Sequence, residues 1–92
     1  MNMTDAVDRL KTSRDPEAQW IGAHLEARQG DYLSELKKGG LTDGQCARGF
    51  VRFCEKLLAA VGNLDPLPFP DYREDVVEEM GNLARAEYKE AC

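Results

Sequence analysis

Residues 45–61 read QCARGFVRFCEKLLAAV, and this stretch decides the fold class of the chain. Its apolar residues recur at helical spacing and span about 180° of arc, whereas a helix that meets a single neighbour needs a stripe of roughly 100°. We therefore predict a central helix that contacts two other helices or a second copy of the chain. Gly49 lies at the edge of this arc and would allow another backbone to approach closely.

Residues on both sides of this stretch mark the two ends of the helix. Thr42 is followed three residues later by Gln45, which is the pattern of an N-terminal capping box. Gly62 fits the left-handed position that closes a helix. Together these signals predict a helix over residues 43–61.

A second long helix is predicted over residues 16–38. Asp15 is a favourable N-cap, and Pro16 suits the first helical position. The helix ends at the sequence KKGG, where two cations occupy the last turn and glycines follow. Gly30 interrupts the pattern, so the sequence leaves open whether this helix is continuous.

The C-terminal third of the chain predicts a stiff connection and then a helix. Three closely spaced prolines favour an extended crossing over residues 63–71, because proline cannot continue a helix. A last helix is predicted over residues 72–90, with Asp71 and Glu74 as a weaker capping pair.

One short helix completes the predicted fold. Thr4 would cap a helix over residues 5–12, and strand patterns are nearly absent from the sequence. Residues 1–92 are therefore expected to form a single all-α domain. We predict a small three-helix bundle with an additional short N-terminal helix.

The composition is that of an acidic globular chain. Of its 92 residues, 42% are apolar and 32% are charged, and the formal net charge is -5. No apolar run approaches the ~20 residues that cross a bilayer, and the N-terminus lacks the apolar region of a secretory signal. We therefore expect a cytoplasmic protein that makes no membrane contact.

The cysteines and the single histidine do not indicate a reactive centre. Cys46 and Cys54 would lie two turns apart on one helix, roughly 12 Å by rise, which is too far for a disulfide. We expect reduced, mostly buried thiols. His24 has no cysteine close to it in sequence, so neither a metal nor another cofactor is predicted. Because no phosphate-binding loop or nucleophile–base pattern occurs either, the chain is not expected to be an enzyme.

A line of cations runs along the third helix of this acidic chain. Two interpretations stay open: the line pairs with an acidic helix of its own fold or of a symmetry mate, or it binds a phosphate-bearing ligand such as a nucleotide or an RNA segment. The phosphate-site alternative uses Lys37, Lys38, Arg48, Arg52 and Lys56.

Carboxylates gather on the outer side of the last helix. These are Glu74, Asp75, Glu78 and Glu79. An acid-rich surface of this kind is suited to compete with nucleic acid for a cationic site on a protein. We predict that these residues contribute to the binding of a protein partner, such as a nucleic-acid-binding complex.

Trp20, His24 and Arg28 form a stripe beside the apolar face of the second helix. One interpretation is that Trp20 packs under the short first helix. The other is an exposed binding surface, since tryptophan and arginine are common anchors of protein interfaces. We predict that the stripe is at least partly exposed and contributes to an interface with a partner or a second protomer.

The sequence KKGGLTDGQ joins two helices and is similar in outline to a helix-turn-helix. In that motif, the N-terminal end of the second helix presents side chains that read bases. Here that end begins with Asp43 and Gly44, and the whole chain is acidic. Direct binding to duplex DNA is therefore not expected.

In size, acidity, helical content and lack of catalytic motifs, the chain resembles the small inhibitors that bacteriophages make against host defence or transcription machinery, anti-CRISPR proteins included. The similarity is one of composition, and small adaptor and regulatory proteins share it. It implies a phage-type inhibitor or regulator of nucleic-acid-handling machinery. The wide apolar arc and the small core further predict a homodimer.

Overall fold

The computed structural model describes residues 2–59 and 74–90, and within the last helix it describes the side chains of residues 76–86. The helices are α1 (Met3–Lys11), α2 (Pro16–Lys38), α3 (Asp43–Ala59) and α4 (Glu74–Glu90). No strand occurs in these two segments, so the predicted all-α bundle with a short N-terminal helix is confirmed. The proposed cap at Gly62, the crossing over 63–71 and the Asp71–Glu74 pair lie outside the described residues.

The N-cap of α1 differs from the prediction. Asn2, not Thr4, caps this helix, and its Oδ1 accepts a hydrogen bond from the Asp5 backbone N–H at 2.8 Å. Asparagine ranks above threonine as an N-cap, and Asn2 stands two residues earlier in the chain. Thr4 therefore lies within the first turn of α1.

α2 begins and ends as the sequence predicts. Asp15 caps it by accepting a hydrogen bond from the Glu17 N–H at 2.9 Å, and the helix continues without interruption through Gly30. At the other end Gly40 has φ +94°, the left-handed conformation that glycine adopts most easily. The Gly40 N–H and the Leu41 N–H donate to carbonyls of the last turn of α2, which turns the chain into α3.

The capping box of α3 is confirmed. The Gln45 N–H donates to Thr42 Oγ1 at 3.2 Å, and the Thr42 N–H donates to Gln45 Oε1 at 2.9 Å. These reciprocal bonds satisfy donors that have no partner within the helix.

α3 is the central helix, and it packs against α1, α2 and α4. Its wide apolar arc is thereby buried within one chain and does not require a second copy. The buried side chains of the core include Leu10, Ile21, Leu25, Tyr32, Phe50, Cys54, Leu57 and Met80.

Two glycines allow helices to cross at short distance. A Cβ on Gly49 would lie 2.5 Å from the Met80 carbonyl oxygen, so α3 and α4 touch there backbone to backbone, as the sequence predicts for Gly49. A Cβ on Gly22 would lie 2.9 Å from both Leu10 Cβ and the Lys11 nitrogen. Gly22 therefore marks the crossing of α1 over α2.

Candidate functional site

Trp20 is the large hydrophobic side chain that stands out on the surface of the described residues. It is 43% exposed. The alternative in which α1 covers it is wrong, because α1 crosses α2 at Gly22, about 160° around the helix from Trp20. Val7 and Leu10 of α1 are instead buried in the common core. The predicted partial exposure of Trp20 is confirmed.

The Trp20 ring is held in place by its neighbours along α2. It stacks on His24 with ring centroids 5.6 Å apart and an interplanar angle of 11°. His24 Nε2 lies 2.8 Å from the hydroxyl oxygen of Tyr32, whose ring is fully buried. The tautomer of His24 decides which of the two groups donates this hydrogen bond. A continuous chain of contacts thus connects an exposed indole to the core.

The role of Tyr32 was missed from the sequence, which places this residue only in the core. Side chains on a helix lean towards its N-terminus, so Tyr32 can reach back along α2 to His24. Trp20, His24, Arg28 and Tyr32 follow one another at intervals of four residues, and that spacing was the available signal.

A shallow polar groove adjoins the aromatic cluster that Trp20, His24 and Tyr32 form on α2. It has a volume of about 410 Å³ and is lined by Arg28, Asp31, Ser34, Glu35 and Lys38. Arg28 Nη1 lies 3.6 Å from Asp31 Oδ2, and Lys38 Nζ lies 3.1 Å from Glu35 Oε1. The charges of this groove therefore compensate one another locally.

The five cations of the proposed phosphate site do not converge. Lys37 binds Asp43 at 2.8 Å at the start of α3, and this bond raises the pKa of the lysine. Lys56 forms an ion pair with Glu79 of α4, about 20 Å further along α3 by helical rise. The two ends of the predicted basic line thus bind different carboxylates of the same chain.

The other cations of this line also have partners within the chain. Arg52 Nη1 lies 3.9 Å from Glu55 Oε2, and Lys38 is the partner of Glu35 in the polar groove. Arg48 is exposed on α3 and is engaged in a contact of its own. Four of the five cations of the proposed phosphate site are therefore paired with carboxylates of the same chain.

The carboxylates predicted on α4 divide into two described and two undescribed side chains. Glu79 is half-buried and binds Lys56, whereas Glu78 is exposed. The side chains of Glu74 and Asp75 lie outside the described ones.

A second groove, of about 440 Å³, lies where α1, α2 and α3 meet. It is lined by Met3, Gly30, Leu33, Ser34, Lys37, Asp43, Cys46 and Ala47. The Cys46 thiol contacts the Leu41 carbonyl oxygen at 3.9 Å, and burial raises the pKa of this thiol. A buried, protonated thiol is a poor nucleophile, so Cys46 does not make this groove a reactive site.

Cys54 and Cys46 are both free and buried. Burial, with a smaller effect of the Glu55 carboxylate, raises the pKa of Cys54 to about 12. No group of three or more metal-ligating side chains occurs within 2–59 and 76–86. None of the helices in the described part of the chain is long and apolar enough to cross a bilayer.

The class of protein that emerges is a small all-α bundle whose longest described helix, α2, carries an exposed aromatic cluster. No known protein family, curated protein or solved structure matches this chain.

Proposed function

We propose that this chain is a non-catalytic binding protein that captures a protein partner through Trp20. The observation that carries the proposal is an indole that is both exposed and fixed by the stack on His24 and the bond to Tyr32. Tryptophan is enriched among residues that dominate binding energy, and a side chain ordered before binding loses less entropy on association.

The charge of the chain supports a partner with a cationic surface. Seventeen acidic residues stand against twelve lysines and arginines, and six of those cations form ion pairs among the described residues. The net charge that remains is negative, and the carboxylate of Glu78 is exposed on α4. A protein that binds nucleic acid offers a surface of opposite charge, so we assign the chain to the inhibitors or regulators of nucleic-acid-handling machinery.

The chain resembles phage-type inhibitors of the anti-CRISPR kind in size, acidity and helical content, and the proposal includes that class. The proposed location is the cytoplasm, where the free Cys46 and Cys54 thiols would stay reduced. The phosphate-ligand alternative receives less support, because Lys37 and Lys56 are each held by a carboxylate of the same chain.

The experiment is capture from the native host, followed by affinity measurement with the purified partner. Trp20→Ala should weaken the purified complex by ~2 kcal/mol or more, which is about thirtyfold in Kd. Trp20→Phe is the matched control, because it keeps an aromatic ring over His24 and should retain most of the affinity. Equal affinity of wild type and Trp20→Ala would refute this function.

A further inference from the structure

Among the described residues, Gly30 has no close neighbour that would require a glycine, unlike Gly22 and Gly49 in the interior of α2 and α3. Gly22 and Gly49 each lie where another helix of the chain approaches to within 3 Å of a Cβ position. At Gly30 no described atom lies within 4 Å of the Cβ position. A glycine inside a helix costs about 1 kcal/mol relative to alanine, and no helix crossing within the described part of the chain offsets that cost at Gly30.

Gly30 borders the groove between α1, α2 and α3, and it also belongs to a line of exposed residues on the outer side of α2. Trp20, Ala23, Ala27 and Gly30 are all exposed and follow one another at intervals of three, four and three residues. This is the spacing of the seam along which two helices of a coiled coil meet. We call these four residues the outer seam.

The outer seam is complementary to itself when a second copy runs antiparallel. Trp20 and Gly30 lie at opposite ends, about 15 Å apart along the axis. In an antiparallel pair centred between them, each Trp20 faces the Gly30 of the other copy, and Ala23 faces Ala27 at the centre. The indole of each copy thus faces a residue without a side chain, and the two small alanine side chains face each other. Together these pairs fill the space between helices that cross at about 20°.

The charges that flank the outer seam do not oppose this pairing. Lys11 Nζ lies 2.8 Å from Glu26 Oε2 on one flank, and Arg28 pairs with Asp31 on the other. Each of these two pairs is neutral, although the chain as a whole carries -5. At these positions, two copies that approach along α2 bring paired charges together and not bare ones.

We propose that the outer seam is a homodimer interface in which Trp20 of each copy occupies the space above Gly30 of the other. The inference rests on the proposed function in one respect, since it assigns an occupant to the same tryptophan. Because both uses need Trp20, the dimer and the complex with a macromolecular partner exclude each other. Self-association would then regulate how much of the binding surface is available.

The first measurement is the mass in solution between micromolar and millimolar concentration, by light scattering and sedimentation. The wild type should approach twice the 10.3 kDa of one chain at the upper end and return towards 10.3 kDa on dilution. Trp20→Ala should raise the dimer Kd about thirtyfold or more. Gly44→Ala is the control, because its added methyl group reaches only to 4.0 Å from Thr42 Oγ1.

A complementation experiment tests the facing arrangement directly. Gly30→Trp places two indoles in the space for one and should abolish the homodimer, whereas circular dichroism should show an intact helical fold because this position is open. An equimolar mixture of Gly30→Trp and Trp20→Ala should form a heterodimer. At each place where position 20 of one copy faces position 30 of the other, one residue is then large and the other is small.

Three results would overturn the dimer: a constant mass of 10.3 kDa, a Gly30→Trp homodimer as tight as the wild type, or a mixture that stays monomeric. The two proposals fail separately. A monomeric wild type whose partner affinity depends on Trp20 refutes only the dimer. A dimer whose partner affinity ignores Trp20→Ala refutes only the assigned partner surface.

Discussion

Substitution of Gly49 by alanine should destabilise the chain, although alanine is the better helix former. The added Cβ would lie 2.5 Å from the Met80 carbonyl oxygen and 3.1 Å from Ala84 Cβ. The first of these atoms belongs to the backbone and cannot rotate away, so α3 and α4 must separate by almost 1 Å to restore an ordinary contact. Separation also weakens the packing of the fully buried Phe50 and Met80 around the crossing.

The magnitude follows from two opposing contributions. Overpacking of this kind costs typically 1–3 kcal/mol, and the gain in helix propensity returns about 1 kcal/mol. Because the clash involves backbone, we expect the upper part of that range and a net loss of about 1–2 kcal/mol in the free energy of unfolding. For a domain of this size that lowers Tm by roughly 5–15 °C.

The assay is urea and thermal unfolding followed by circular dichroism at low micromolar concentration. Gly30→Ala is the matched control, since it adds the same methyl group to a helix interior with no described atom within 4 Å, and should gain about 1 kcal/mol. The reasoning is refuted if Gly49→Ala is as stable as Gly30→Ala, because the α3–α4 crossing would then not depend on a missing side chain.

Three further predictions concern the aromatic cluster, a buried thiol and the cations. Tyr32→Phe removes the hydroxyl that forms a hydrogen bond with His24, so it should lower the free energy of unfolding by about 1 kcal/mol and lower the fluorescence anisotropy of Trp20. Unchanged anisotropy would show that this bond does not fix the indole. Cys54 keeps its proton in the folded state up to a pKa of about 12, whereas the unfolded thiol ionises near 8.5. Cys54 should therefore lower the free energy of unfolding by up to about 1.4 kcal/mol per pH unit above pH 9, and Cys54→Ala should reduce that slope, leaving the contribution of the buried Cys46; an unchanged slope would contradict this. ATP should leave Tm unchanged at low salt, because Lys37 and Lys56 bind carboxylates of the chain; a rise in Tm that Lys56→Ala abolishes would revive the phosphate site.

The parts of the fold that depend on neighbouring residues in sequence could be predicted. The capping box at Thr42 and the N-cap at Asp15 each act over three residues or fewer, so the local pattern is sufficient. The cap at Thr4 was predicted wrongly because Asn2, a better cap, stood just upstream. The central position of α3 was visible in its wide apolar arc, and Gly49 at the edge of that arc marked a close approach.

The parts that depend on distant packing could not be predicted. Nothing in the sequence specifies that Lys56 reaches Glu79, because that pair depends on how α4 lies against α3. The exposure of Trp20 could be predicted from its angle on α2. The fixation of the indole ring could not, because it depends on the direction in which the Tyr32 side chain points. The open space at Gly30, on which the proposed dimer interface rests, became visible only by comparison with Gly22.

Acrylamide quenching tests the central claim most directly, because Trp20 is the single tryptophan of the chain and all its indole emission reports on this one site. At nanomolar concentration we expect an emission maximum typical of a partly exposed indole, with substantial quenching. Addition of the captured partner should shift the maximum to the blue and reduce quenching several-fold. An indole that is already inaccessible in the free chain, or whose quenching stays the same in the complex, would contradict the claim that Trp20 is the binding surface.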